Sequence, residues 1–154
     1  MTTEFLSSLN GGALLTAVKE SGEVNTMTVS WGGAGILWGK QVAFVFVRPQ
    51  RHTFSFTENG SKMSLTFFEN NEESKKILSF CGTKSGRDID KIKACGLKYT
   101  LDDGYPVFEN AKYTLKLKKI YADTIKKDCF IDTECLKWYK NDDFHTVYVC
   151  EIRG

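Results

Sequence analysis

The chain has 154 residues, 42% of them hydrophobic and 26% charged, which suits one folded domain with a sizeable core and excludes a disordered chain. Lys and Arg number 21 against 19 Asp and Glu, a formal net charge of +2, so no nucleic-acid partner is expected. Lys112, Lys116, Lys118 and Lys119 gather locally but read as a solvated strand face.

The first residues, Met1-Thr2-Thr3-Glu4-Phe5-Leu6, carry neither a basic nor an apolar leader region. No signal peptide is expected, and the chain reads as cytoplasmic. No apolar run approaches the ~20 residues of a membrane span, so no membrane partner is expected. Asn10-Gly11-Gly12 marks a turn, and 13–19 reads as the first strand. Ser21-Gly22-Glu23 turns the chain into a second strand ending near Trp31. Gly32, Gly33, Gly35 and Gly39 predict a loop that lets backbone approach a ligand. The run 41–47 is apolar at nearly every position, which predicts a central strand buried on both faces and ended by Pro49.

A short helix is expected over 53–58, stopped by Asn59-Gly60, then a strand over 62–68. Helical composition follows over 72–80, with Glu72 and Glu73 ahead of Lys75 and Lys76 in keeping with the helix dipole. Asp88 reads as the N-cap of a short helix through Cys95, stopped by Gly96. Tyr113, Leu115 and Leu117 alternate with polar residues, a one-sided strand whose break at Lys118-Lys119 predicts a bulge. Asp132-Thr133-Glu134 starts a short helix carrying Leu136, Trp138 and Tyr139, and 145–152 reads as the last strand. There is no repeat or linker. Many strands with short inserted helices predict a mostly β fold, a β-barrel with decorating α-helices, as one domain over 1–154. The aromatic share of 13%, with 11 Phe, agrees with strands and ring-stacking sites.

The five cysteines, Cys81, Cys95, Cys129, Cys135 and Cys150, are odd in number and form no CxxC. Reduced, mostly buried thiols are expected, not a disulfide framework. With only His52 and His145 available, no metal site is expected.

Two segments carry most of the chemistry. Asn25-Thr26-Met27-Thr28-Val29-Ser30-Trp31-Gly32 is a hydroxyl-rich strand end running into an aromatic. Its hydroxyls and backbone suit the polar edge of a flat heteroaromatic ring, with Trp31 either a wall for that ring or a core aromatic. Val47-Arg48-Pro49-Gln50-Arg51-His52-Thr53 puts two guanidiniums and a hydroxyl around a proline. Singly, Arg48 and Arg51 read as surface arginines. Together, with Thr53 at a helix start, they suit a phosphate, because guanidinium forms a bidentate fork with phosphate oxygens. Ser85-Gly86-Arg87 ahead of Lys91 repeats that logic as either an anion nest or a plain turn, with Asp88 opposing an anion at that cap. A phosphorylated aromatic cofactor is expected. The chain has no Gly-Xaa-Gly-Xaa-Xaa-Gly word for a dinucleotide.

The order and separation of these words, with Gly82-Thr83-Lys84-Ser85-Gly86-Arg87-Asp88, Lys91 and Gly96-Leu97, resemble the flavin reductase-like family over most of the chain, from 13 to 152. That family's fold is an FMN-binding split β-barrel, and the chain looks most like its short flavoredoxin-type members. The resemblance implies FMN as cofactor, with Asn25, Thr26, Met27, Thr28, Ser30 and Trp31 at the ring. It places Arg48, Arg51, His52, Thr53, Ser85, Gly86, Arg87 and Lys91 toward the phosphate. It implies a homodimer that moves electrons from NADH or NADPH, through FMN, to a flavin or a redox partner protein. Many members carry Gly-Asp-His where this chain has Asp143-Phe144-His145, and a Gly where it has Cys150. These departures bear on nicotinamide binding more than on flavin binding. No catalytic residue is assigned. His145 is the candidate beside the open face, or else an ordinary strand histidine. Two alternatives stay open: an FMN electron carrier that does not itself oxidise NAD(P)H, and a binding module without flavin.

Overall fold

The computed structural model describes residues 2–154; Met1, where the reading for a leader began, lies outside them. Helix α1 (Thr2–Asn10), which the sequence pattern did not show, leads into β1 (Ala13–Val18). Gly22, at φ 93°, lets the chain reverse, and β2 (Val24–Val29) returns antiparallel along β1. Then follow β3 (Gly32–Leu37), β4 (Lys40–Val47), α2 (Thr53–Asn59), β5 (Lys62–Phe67), α3 (Glu72–Thr83) and α4 (Lys91–Ala94). A small hairpin, β6 (Tyr99–Asp102) and β7 (Tyr105–Phe108), precedes the long β8 (Tyr113–Thr124). Short 3-10 turns at Lys127–Cys129 and Thr133–Trp138 lead to β9 (Thr146–Arg153).

The main sheet has seven strands in the order β2-β1-β5-β8-β9-β4-β3, antiparallel throughout. Its two edges, β2 and β3, are consecutive in the chain, with only Ser30 and Trp31 between them. Three peptide steps of ~3.8 Å hold the end of one edge within about 11 Å of the start of the other. The sheet must therefore curl until its edges meet at this seam, which makes a split barrel with short helices outside. The barrel interior is filled from both halves, by Leu15, Ala17, Met27 and Met63 on one side and Val45, Val47, Tyr148 and Cys150 on the other. A second cluster, with Leu14, Ile77, Cys81, Ile92, Leu97 and Phe108, packs α3, α4 and the small hairpin onto the outside of β1.

Several expectations change. The glycines from Gly32 to Gly35 form an edge strand, not a loop. A Cβ at Gly32 would lie 2.7 Å from the Phe44 carbonyl oxygen, so glycine is what allows β3 to lie so close to β4. The turn between them is Trp38-Gly39, both at positive φ (53° and 68°), a tight two-residue hairpin. β4 is next to an edge, with Phe44 and Phe46 only half-buried. The strand buried along its whole length is β1, which has the barrel core on one face and the outer helices on the other. Asp90, not Asp88, caps α4, its carboxylate accepting from the Lys93 N–H at 3.1 Å. The β6–β7 hairpin, closed by Asp103-Gly104 at positive φ, was not foreseen. The bulge on β8 lies between Lys119 and Tyr121. All five thiols are free, but only Cys81 and Cys150 are buried; Cys95 is half-buried and Cys129 and Cys135 are exposed. No helix of the described residues is long and apolar enough to cross a membrane.

Candidate functional site

The seam carries a cleft of about 140 Å³, open to solvent. One wall is the chain from Met27 to Trp31 as it passes from β2 to β3. The other comes from Phe46 on β4, Arg48 and Arg51 just beyond it, and His145 at the start of β9. The cleft follows from the topology, because an edge strand has unpaired backbone N–H and C=O groups along one side. β2 thus offers donors and acceptors at short range beside apolar rings.

The hydroxyls of β2 are not what it offers. The Thr26 hydroxyl bonds to Thr16 at 2.9 Å and donates to the Leu15 carbonyl at 3.2 Å, under the outer layer. The Thr28 hydroxyl donates to the Leu78 carbonyl at 2.5 Å and ties α3 to the strand. Asn25 is buried and donates to Thr53 at 2.8 Å. Asn25, Thr26 and Thr53 are therefore braces behind the cleft, while Met27, Thr28 and Ser30 line it directly. Trp31 is not a core aromatic. It is 44% exposed, with its ring edge-on to Trp138 at 5.2 Å and tilted against His145 at 5.5 Å.

His145 is buried, and its Nδ1 lies 2.7 Å from the Tyr139 hydroxyl. Burial, helped by the charge on Arg48, pushes its pKa down to about 4. It is therefore a neutral imidazole at pH 7, a hydrogen-bonding and packing group and not a cation. Arg48 is committed. It pairs with Asp143 at 2.8 Å, donates to the Trp138 carbonyl at 2.8 Å and lies over the Tyr139 ring. Gln50 donates to the same Asp143 oxygen at 2.6 Å. Arg48 fastens the 138–143 segment over the site, and its fork is not free for a phosphate.

Arg51 is different. It is half-buried, and its Nη2 is shut off from solvent with no hydrogen-bond partner. Burial lowers its pKa. A buried, unpaired guanidinium nitrogen is costly, because a charged donor loses water and gains nothing. Other cations crowd the same place. Lys91 is buried and donates to the Cys81 carbonyl at 3.1 Å. Burial first and then Arg51 push its pKa down to about 8. Burial lowers the His52 pKa as well, followed by the charges of Arg87, Lys19 and Lys91. Arg87 reaches the Gln50 carbonyl at 3.1 Å, and the Ser85 hydroxyl accepts from the Arg87 N–H. Gly86 lets this loop close on the site, since a Cβ there would be 2.2 Å from Asn25 Oδ1 and 2.9 Å from the His52 ring. Positive charge thus gathers around Arg51 and Lys91, offset at His52 only in part by Glu23, and such a cluster suits an anion.

Part of one expected donor set is taken. Two of the leading N–H groups of α2 are spent, Phe54 on the Arg51 carbonyl and Ser55 on the His52 carbonyl. The sequence reading also missed Phe46, Tyr139 and Asp143. Phe46 and Arg48 lie two residues apart, opposite in phase to the core residues Val45 and Val47, and that alternation was the available signal.

No protein-family profile matches the chain, and no curated protein matches it. Solved structures do. An FMN-binding protein from Thermus thermophilus is 20% identical, with a TM-score of 0.70 over 93% of this chain and 67% of its own. Flavoredoxin from Methanosarcina acetivorans is 18% identical, with a TM-score of 0.69 over 93% of this chain and 66% of its own. The styrene monooxygenase flavin reductase of Pseudomonas putida S12 is 17% identical, with a TM-score of 0.66 over 94% of this chain and 78% of its own. The chain thus spans about two thirds of the first two. At these identities the likeness is one of fold, and the fold is that of the split-barrel flavoproteins.

Proposed function

We propose that the chain binds FMN in the seam cleft and passes electrons through it in the manner of a flavin reductase. The donor in this reading is a nicotinamide, NADH or NADPH, and the acceptor a flavin or a redox protein. The observation that carries the reading is the buried, unpartnered Nη2 of Arg51 at one end of a cleft whose other end is edge-strand backbone and aromatic rings. A phosphorylated flat ring satisfies both ends at once. The similar fold of proteins described as FMN-binding supports the choice of ring.

Bound FMN supplies the two-electron redox chemistry that no side chain of this cleft offers. The protein's part is to bind, orient and exclude water. Arg51 and Lys91 hold the phosphate, with Arg87, Ser85 and Gly86 closing the loop around it. The backbone from Met27 to Ser30 meets the polar edge of the ring. Trp31 and His145 bound the open face, with His145 held neutral and fixed by Tyr139. The two departures from the family pattern point away from the cleft. Cys150 faces the barrel core against Met63, and Phe144 packs on Phe130 and Tyr139. They do not favour the carrier reading.

The same reading includes a homodimer. Trp31 and Trp138 meet edge-on at the cleft mouth while 44% and 53% exposed, an apolar surface that a second copy would cover. Sedimentation across a dilution series, followed beside flavin fluorescence, should show FMN release as the dimer dissociates; FMN retained by a monomer removes this part. The main test is the absorbance spectrum of the purified protein, chromatography of the released cofactor, and NADH and NADPH oxidation with free flavin. A colourless protein that takes up no FMN on titration overturns the reading. One that binds FMN but oxidises neither nicotinamide is the carrier instead.

A further inference from the structure

Two of the five thiols touch. The Sγ atoms of Cys81 and Cys95 lie 3.9 Å apart, beneath the segment that carries Ser85, Gly86, Arg87 and Lys91. Cys81 is in the last turns of α3 and wholly buried; Cys95 ends α4 and is half-buried. The contact brackets the cation loop. Lys91 is bonded at both ends of it, its Nζ donating to the Cys81 carbonyl at 3.1 Å and its own carbonyl accepting from the Cys95 N–H at 3.0 Å.

We propose that Cys81 and Cys95 are a reversible dithiol–disulfide pair, closed by a small-molecule disulfide such as oxidised glutathione, and that closure locks the 82–94 loop and with it Lys91. The second half rests on the FMN reading above.

The geometry gives the two sulfurs unequal roles. Cys95 is the accessible one, so its thiolate attacks first. It forms a mixed disulfide with one glutathione and releases the other as a thiolate. Cys81 then loses its proton and attacks the Cys95 sulfur, which expels the second glutathione. The protein gives up two electrons and two protons, and the glutathione disulfide becomes two thiols. Burial and the neighbouring Cys95 hold the Cys81 thiol up at about 12, while Lys91 pulls the other way. Capping Cys95 removes the repulsion between the two thiolates, which favours the second step after the first.

A bond needs the sulfurs about 2 Å apart, so they must close by roughly another 2 Å. The Cys95 end can supply this movement. α4 is only four residues long, and Gly96, at φ 65°, has no atom within 4 Å of where a Cβ would stand. The disulfide then ties both ends of the 82–94 segment, which limits how far it can open. A bound phosphate held by this segment leaves as it opens, so the effect belongs in the release rate.

The test uses the full chain with Cys129→Ser and Cys135→Ser, which removes the two exposed thiols. After equilibration with oxidised glutathione, alkylation under denaturing conditions and mass analysis should show one thiol left, Cys150. The peptides bearing Cys81 and Cys95 should be linked, and dithiothreitol should reverse the link. Retention of all three thiols, or glutathione remaining on Cys95 with no link, overturns the pair. That arm needs no flavin. In the second arm, FMN should leave the linked protein several-fold more slowly than the reduced one, and Cys95→Ser should show one rate in both buffers. Equal rates in the linked and reduced protein overturn the coupling. A protein that forms the link yet binds no FMN overturns the proposed function and the coupling, and leaves the pair standing.

Discussion

Replacing Arg51 with Ala should move ligand affinity and stability in opposite directions. In the free protein the Arg51 Nη2 is buried without a partner, and burial lowers its pKa. Its guanidinium also depresses Lys91. Removing it relieves an unpaired charge and a cation–cation repulsion, so the free protein should unfold at the same temperature as the wild type or a higher one. With FMN bound, the same group makes a charge-assisted contact worth about 1.5–3 kcal/mol. Its loss should weaken FMN binding roughly ten- to a hundredfold. Riboflavin has the ring but no phosphate, and its affinity should change less than about threefold. Fluorescence titration of both ligands against both proteins, beside thermal unfolding of the free forms, reads all the terms. An equal loss for FMN and riboflavin, or a large drop in the stability of free Arg51→Ala, would show that Arg51 acts through folding and refute the phosphate assignment.

Lys91 titrates at about 8 in the folded chain against about 10.4 unfolded, so between these values the unfolded state binds more protons and stability rises with pH. FMN affinity should fall over the same rise, as the ammonium is lost, and Lys91→Met should flatten the affinity profile measured by titration from pH 7 to about 10. His145, at about 4 against about 6.5 unfolded, is the same case at lower pH. Stability should be lost as pH falls through that window, by about 3 kcal/mol at most, and denaturant unfolding of His145→Gln should lack that slope. Gly86→Ala drives a Cβ to within 2.2 Å of the Asn25 side chain, which is tethered to Thr53. It should cost about 1–3 kcal/mol in unfolding experiments and loosen FMN, whereas unchanged stability would mean that the loop does not close on Asn25.

Much of the fold was legible because it is written in short-range chemistry. The β1–β2 turn at Ser21-Gly22, the stop at Pro49, the start of α2 at Thr53 and the alternation of β8 are local, set by backbone dihedrals and by the period of two along a strand. Arg51, Lys91 and the loop at Ser85-Gly86-Arg87 were legible as residue types suited to a phosphate. Strand partners were not legible. Gly32 to Gly35 looked like a loop because glycine's reason for being there is the Phe44 carbonyl, 12 residues from Gly32 in sequence and pressed against its Cα in space. β4 looked central because apolar composition does not say which strand is the neighbour.

The fate of each polar group was also decided only by tertiary structure. Arg48 and Arg51 read alike in sequence, yet Asp143, brought across by β9, takes one and leaves the other. Thr26 and Thr28 looked like ligands, and the carbonyls of Leu15 and Leu78 claim their hydroxyls. Hydrogen-bond partners come from whichever element folds against the group, and that element is set by where the barrel closes. Residue types and turns are properties of neighbours along the chain; the seam, the cleft and the unpaired Arg51 Nη2 arise only when its two edges meet.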